Sequence, residues 1–232
     1  MANAFVKAAI ANGNAVAFGS AVSAGNLIVG MVTYAAAETV SSVTDSVGNT
    51  YALLTEVEDV ADAQAARMFY AMNVGAGTPT VTANGVTNGD GTTILVHEVS
   101  GAATTAALGQ QGGQVDVNPG TGANACNSGS VTTGTDGEYI FGTAVLSSDF
   151  SDGIANFAAG TGFTERTERN VLNNLGVTSE DQVQVSAGAI DATFTVVRGA
   201  QTYIVLISTF KAAGGAAASV FKPDSMLLMG VS

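Results

Sequence analysis

Residues Ala24–Tyr34 read AGNLIVGMVTY and residues Asp136–Leu146 read DGEYIFGTAVL. Laid over each other, they bring Gly25 onto Gly137 and Gly30 onto Gly142, a displacement of 112 residues (137 − 25). Nearly the same displacement recurs three more times. GNTYALL from Gly48 falls on GTGFTER from Gly160, TVTAN at Thr80 on TFTVV at Thr193, and ILVHEVSGA from Ile94 on VLISTFKAA from Val205. Landmarks in one order at near-constant spacing predict two similar halves. Short runs rich in Val, Ile, Thr and aromatic residues, bounded by Gly, Asn, Asp and Ser, are the mark of strands and turns. No long segment carries a capped helical apolar period.

The spacing therefore predicts an all-β fold, a two-sheet antiparallel sandwich of jelly-roll type built from two four-strand halves. The expected strands lie near 26–34, 48–55, 67–74 with 79–84, and 92–99, then near 138–146, 161–168, 181–197 and 201–210. This sets a sandwich domain over 20–212, with halves at about 20–102 and 129–212. Residues 1–19 read as an N-terminal extension, 103–128 as a long Gly- and Asn-rich connecting loop, and 213–232 as a C-terminal tail. In Thr92–Val99 both faces are apolar, Ile94 and Val96 on one and Leu95, His97 and Val99 on the other. Such a strand is central in its sheet or lies under a neighbouring subunit.

Composition limits function. Charged residues make up 11% of the 232 and the net charge is −12, with seven Lys and Arg in all. Nucleic-acid binding needs a basic patch that releases counterions, and this acidic chain has none, so neither nucleic acid nor an anionic membrane surface is expected as a partner. No apolar run approaches the roughly 20 residues of a membrane span. The start of the chain, although AVA at Ala15–Ala17 imitates a cleavage site, lacks a basic residue before a continuous apolar stretch and reads as mature sequence made in the cytoplasm.

Chemical motifs are missing where an enzyme would need them. There is no Gly-Lys pair for a phosphate loop and no nucleophile elbow, and GAGTPT at Gly75 and GTGANA at Gly120 lack the rest of a dinucleotide fingerprint. His97 is the single histidine and Cys126 the single cysteine, so a serine triad would have to use His97, and a closed zinc site cannot be assembled. A lone histidine between Leu95 and Val99 reads as a packed side chain, and Cys126 as an inert buried thiol. Acidic groups at Glu56, Glu58, Asp59 and Asp62, at Asp90, and at Asp149 and Asp152 could serve a glycosidase or calcium, but they sit in stretches that read as solvated loops and turns. With no Trp, and with Phe69, Tyr70, Phe141, Phe194 and Tyr203 inside strands, an aromatic sugar platform is not expected. The reading is of a protein with no catalytic residues, no cofactor and no metal.

The segments AGNLIVG, VSSVTDSVGNTYAL, MFYAMNV, GTPTVTAN, ILVHEVSGA, GFTER and STFKAA together resemble the Gly/Thr/Val-rich β-sandwich modules of tailed-phage virion proteins and bacterial surface proteins. The likeness spans about residues 20–212 and implies no catalytic residue. With no export signal read at its start and a single module with short extensions, the expectation is a structural virion protein, in its most specific form a capsid decoration or cement protein located in the virion. A carbohydrate-binding or adhesin module of a phage or bacterial surface is the alternative, and a hydrolase on a sandwich fold the third. The low-charge surface and the both-face-apolar strand lead us to expect a closed homo-oligomer, a trimer, that meets a major capsid or other virion protein. Val220, Phe221, Met226, Leu227, Leu228 and Met229 in the tail are the expected assembly contacts, since free in water they would expose large apolar side chains.

Overall fold

A computed structural model of the chain describes residues 1–89, 91–118, 123–146, 157–171, 175–197 and 201–214. The first half contributes β1 (Ala4–Asn12), β2 (Ala15–Ala17), β3 (Leu27–Ala35), β4 (Ser42–Asp45), β5 (Ala52–Asp59), β6 (Gln64–Ala71), β7 (Thr80–Asn84) and β8 (Thr93–Ser100). The second contributes β9 (Leu108–Asn118), β10 (Ala123–Asn127), β11 (Val131–Thr132), β12 (Glu138–Leu146), β13 (Phe157–Ala159), β14 (Thr164–Val171), β15 (Leu175–Gln184), β16 (Ala189–Ile190), β17 (Thr193–Val197) and β18 (Gln201–Phe210). Among the described residues there is no helix, and no sheet closes into a barrel. The chain is an all-β antiparallel sandwich.

The sandwich is doubled. Half one forms a five-stranded sheet in the order β1-β8-β3-β6-β5 and a three-stranded sheet β2-β7-β4. Half two forms a five-stranded sheet β9-β18-β12-β15-β14 and a three-stranded sheet β10-β17-β13, with a small β11-β16 ribbon in addition. The two orders are the same once β9 is set against β1 and β18 against β8. Registers agree as well: Gly30 stands opposite Val96 and Phe69, and Gly142 opposite Ile207 and Glu180. The repeat legible in the sequence is thus a repeat of topology and register.

Each half has its own core between its large and small sheets, Phe18, Ile28, Val32, Phe69, Val81 and Val96 in the first, Cys126, Ile140, Phe157, Phe194, Val205 and Ile207 in the second. A third core joins the two five-stranded sheets face to face, with Leu27, Val29, Met31 and Leu95 against Tyr139, Phe141, Ile204 and Leu206. Successive side chains of a strand point to opposite faces, so the central strands must be apolar on both. That is why β3, β8 and β12 are buried almost end to end.

The expected antiparallel sandwich of two similar halves is present, with the strands of each half divided between a large and a small sheet. Two expectations about the extent of the domain are corrected by this arrangement. Residues 1–19 are no extension: β1 is the edge strand on β8, and β2 pairs with β7. Within 103–128, residues 108–118 and 123–127 are strands: β9 is the edge strand on β18, and β10 pairs with β17. Both β1 and β9 escaped notice because Ala- and Gly-rich edges bury little and lack β-branched runs. The both-face-apolar β8 is covered on each side by this chain's own sheets, so it gives no reason to invoke a neighbouring subunit.

All four edge strands of the large sheets, β1, β5, β9 and β14, meet their neighbours through a register shift. Bulges and charge on an edge discourage pairing with foreign strands. Glu56 and Glu58 on β5, and Glu165 and Glu168 on β14, add that charge.

Candidate functional site

Where the two large sheets meet, one polar chain runs through the apolar layer. β8 carries His97 into this layer, fully buried, edge-on to Phe141 at 4.7 Å and to Phe5 at 5.3 Å between ring centroids. Its Nδ1 lies 2.9 Å from the Tyr139 hydroxyl and its Nε2 2.8 Å from Ser179 Oγ. Ser179 Oγ is 2.6 Å from Thr167 Oγ1, Tyr139 also bonds Asp181, and Arg166 Nε donates to the Asp181 carboxylate.

A carboxylate can only accept, so Tyr139 donates to Asp181 and His97 Nδ1–H donates to Tyr139. Burial, and then the Arg166 cation, push the imidazole pKa down to about 3. The ring is therefore neutral at neutral pH, with its proton on Nδ1, Ser179 donates to Nε2, and Thr167 donates to Ser179. The Arg166 guanidinium also lies 3.9 Å from the centre of the Phe5 ring, a cation–π contact that closes the outer end of the seam.

Ser179 and His97 have the spacing of a nucleophile and its base, and chemistry is still remote. Both are at 0% exposure, between two sheets, so a substrate has no approach to Oγ. An imidazole held near a pKa of about 3 is also a poor proton acceptor at neutral pH. The seam is structural: it satisfies each buried polar group it contains, and such a network costs heavily only when a member is removed.

Buried carboxylates recur at matching places in the halves. Glu98 on β8 accepts from Ser23 N–H at 2.7 Å and Asn26 Nδ2 at 2.6 Å, and lies 3.2 Å from Lys7 Nζ. Lys7 in turn donates to Ser20 Oγ and to the carbonyls of Ser20 and Ala21. In half two the acid has changed strand: Glu138 on β12, at the position of Asn26, accepts from Thr135 N–H at 3.0 Å and from Thr209 Oγ1, at the position of Glu98, at 2.6 Å. Either way one carboxylate ties the loop before the central strand to the strand beside it.

Cys126 is buried opposite Phe194, and burial pushes its thiol up to about 12, so it is inert. Glu56 pairs with Arg67 at 2.7 Å on the β5 edge, and Asp59 accepts from Ala61 N–H at 3.1 Å in the turn after β5. No three potential metal ligands cluster among the described residues. Asp90, Asp149 and Asp152 lie outside the described residues, as do Val220, Phe221, Met226, Leu227, Leu228 and Met229. Phe69, Phe141, Phe194 and Tyr203 are buried, and Tyr70 packs against Phe210 with centroids 5.3 Å apart.

Sequence reasoning missed Tyr139, Arg166, Ser179 and Asp181 as partners of His97. The sheets stack in opposite strand order, so these groups meet across the interface and not along the chain. Family models, curated proteins and solved structures were all compared with the chain, and none of the three matches it.

Proposed function

We propose that the chain is a non-enzymatic structural protein of a virion, a capsid decoration protein that works through contacts between subunits. The observation that carries the reading is the sealing of the reactive groups. The one histidine and the one cysteine are fully buried, and the polar chain around His97 is spent on joining the halves. What is left to the surface is a low-charge rind, which can pack against other subunits with little cost of charge desolvation.

Assembly through the C-terminal tail completes the proposal, with self-association into a trimer and contact with a capsid protein as its two uses. The chain is well tied just before the tail: Ala213 N–H donates to the Gly101 carbonyl at 2.7 Å, and the N-terminal ammonium donates to the Ala213 carbonyl at 2.6 Å. Deletion of residues 215–232 therefore removes the apolar segment and leaves this tie intact. We expect the shortened chain to melt as the full chain does and to fail to bind particles that lack it. Light scattering and sedimentation with purified particles read the result. Normal particle binding by the shortened chain would refute the tail's role, and absence of the protein from purified virions would refute the reading as a whole.

A further inference from the structure

The two large sheets pack as the partners of a symmetric dimer do. β1 lies against β14 and β5 against β9, and β14 and β9 are the counterparts of β5 and β1. β6 likewise faces β18, and β8 faces β15 through His97 and Ser179. Each contact thus recurs with the halves exchanged, which defines an isologous interface. The polar seam breaks that symmetry. By register, His97 corresponds to Ser208, Ser179 to Met68, Tyr139 to Leu27 and Arg166 to Leu54. On the exchanged side of the interface Leu27, Leu54 and Met68 lie in the shared core, and Ser208, the counterpart of His97, is buried there with its hydroxyl unbonded.

We propose that the buried face of each five-stranded sheet is a dimerisation surface whose partner is the unlike half, and that the His97 seam makes it selective against pairing of the first half with itself. Pairing two first halves would set His97 over Met68, with both ring nitrogens buried and unbonded. Pairing two second halves would leave Ser179 bonded to Thr167 and Tyr139 to Asp181, so the seam exacts no such cost there. The first-half pair buries orphaned ring nitrogens, each costing roughly 1–3 kcal/mol, and does so twice by symmetry. The unlike pair satisfies both nitrogens of the ring. Selectivity of this kind works by penalising the wrong partner, as a lone buried polar residue does in a coiled coil. It would matter where many copies fold close together, because each chain offers two nearly equivalent sheets to its neighbours.

The test uses the full chain with a protease site placed at Thr104–Ala106, an exposed stretch of the connection between the halves. The folded protein is cleaved, unfolded in urea, refolded as the mixture of its two pieces and weighed by native mass spectrometry. Unlike pairs should exceed pairs of the first piece with itself by at least about tenfold, the ratio set by one orphaned group. In His97→Met, which removes the demand for partners, pairs of the first piece with itself should rise at least about tenfold relative to the unmodified sequence. Ser179→Ala, which removes one bond and no bulk, should raise them less and serves if His97→Met does not fold uncut. Pieces that separate after cleavage, pairs of the first piece as abundant as unlike ones, or no rise of first-piece pairs in either variant would each overturn the proposal.

Discussion

Phe69 and Glu180 occupy the same position in the two halves, each opposite a glycine of the central strand, Gly30 and Gly142. Half one fills the space with a ring. Half two fills it with a fully buried carboxyl group that accepts the N–H of Gly160 at 2.8 Å and of Thr193 at 3.1 Å, tying β15 to the small sheet. Burial dominates those two bonds and raises the Glu180 pKa to about 8.

A raised carboxyl pKa makes stability depend on pH with a definite sign. Between about 4.5, the ordinary value, and about 8 the folded chain holds a proton that the unfolded chain has lost. Stability from this group is thus fully present below 4.5 and falls as pH rises to 8. Urea denaturation should show the decline, by a few kcal/mol at most at about 1.4 kcal/mol per pH unit. Glu180→Gln should flatten it. Glu165, raised to about 7 by burial and by Glu168, titrates in the same window, so Glu165→Gln is the control. An unchanged slope in Glu180→Gln would show that Glu180 is already ionised.

Asp45 closes the turn after β4 almost single-handed. Oδ1 accepts from Val47, Gly48 and Asn49 N–H at 2.9, 2.7 and 3.1 Å, and Oδ2 from Asn49 Nδ2 at 2.7 Å and the Tyr51 hydroxyl at 2.9 Å. Burial works against the charge, but the bonds from Asn49, Tyr51 and Gly48 outweigh it and hold the carboxyl below its ordinary value. Asp45→Ala should cost about 2 kcal/mol, and Tyr51→Phe about 1 kcal/mol. Because the folded pKa is depressed, this stabilisation is present above about 3.8 and is lost as pH falls further. Thermal melts at pH 7 and pH 3 check both statements. Equal losses for Asp45→Ala at the two values would contradict the second.

Gly30 is required by close approach and not by backbone conformation. A Cβ there would fall 2.4 Å from the Leu95 carbonyl oxygen and 2.6 Å from Phe69 Cζ, so β8 or the Phe69 ring would have to move. Gly30→Ala should destabilise by about 1–3 kcal/mol in urea titration. Combining it with Phe69→Leu should recover part of that loss. If the pair is no better than the sum of its parts, the clash is with the backbone alone.

Much of the fold was legible because the strands that matter carry strong signals. Gly30 with Gly142 and Thr80 with Thr193 placed the halves in register, and the strands behind those landmarks are equivalent. The signal failed at β1 and β9, where AFVKAAIAN and LGQQGGQVDVN are small-residue edges with little apolar alternation. The seam was less legible still. His97 stood out as the single histidine, but nothing in local periodicity tells which groups from β12, β14 and β15 will meet it once two sheets stack in opposite order. Glu180 could have been flagged, since a charge opposite the paired glycine of a central strand is either an error of alignment or a buried acid.

The exchange of carboxylate between Glu98 and Glu138 leads to the last prediction. Glu98 is 1% exposed and is served by Ser23, Asn26 and Lys7, while Lys7 is 21% exposed and reaches carbonyls as well. Removing the cation leaves a buried carboxylate with two donors. Removing the carboxylate leaves an ammonium that still has Ser20, Ala21 and solvent. Glu98→Gln should therefore cost about 1–3 kcal/mol, mostly by replacing one acceptor oxygen with a donor that faces other donors. Lys7→Met should cost less, because the methionine side chain can still cover the Phe18 ring that the Lys7 ammonium overlies at 5.6 Å from its centre. The double variant should cost less than the two single losses added, since each single change leaves a partner stranded that the double change removes. A double-mutant cycle by urea denaturation measures the coupling. Strict additivity would mean that Lys7 serves the carbonyls of Ser20 and Ala21 and contributes nothing to the buried acid.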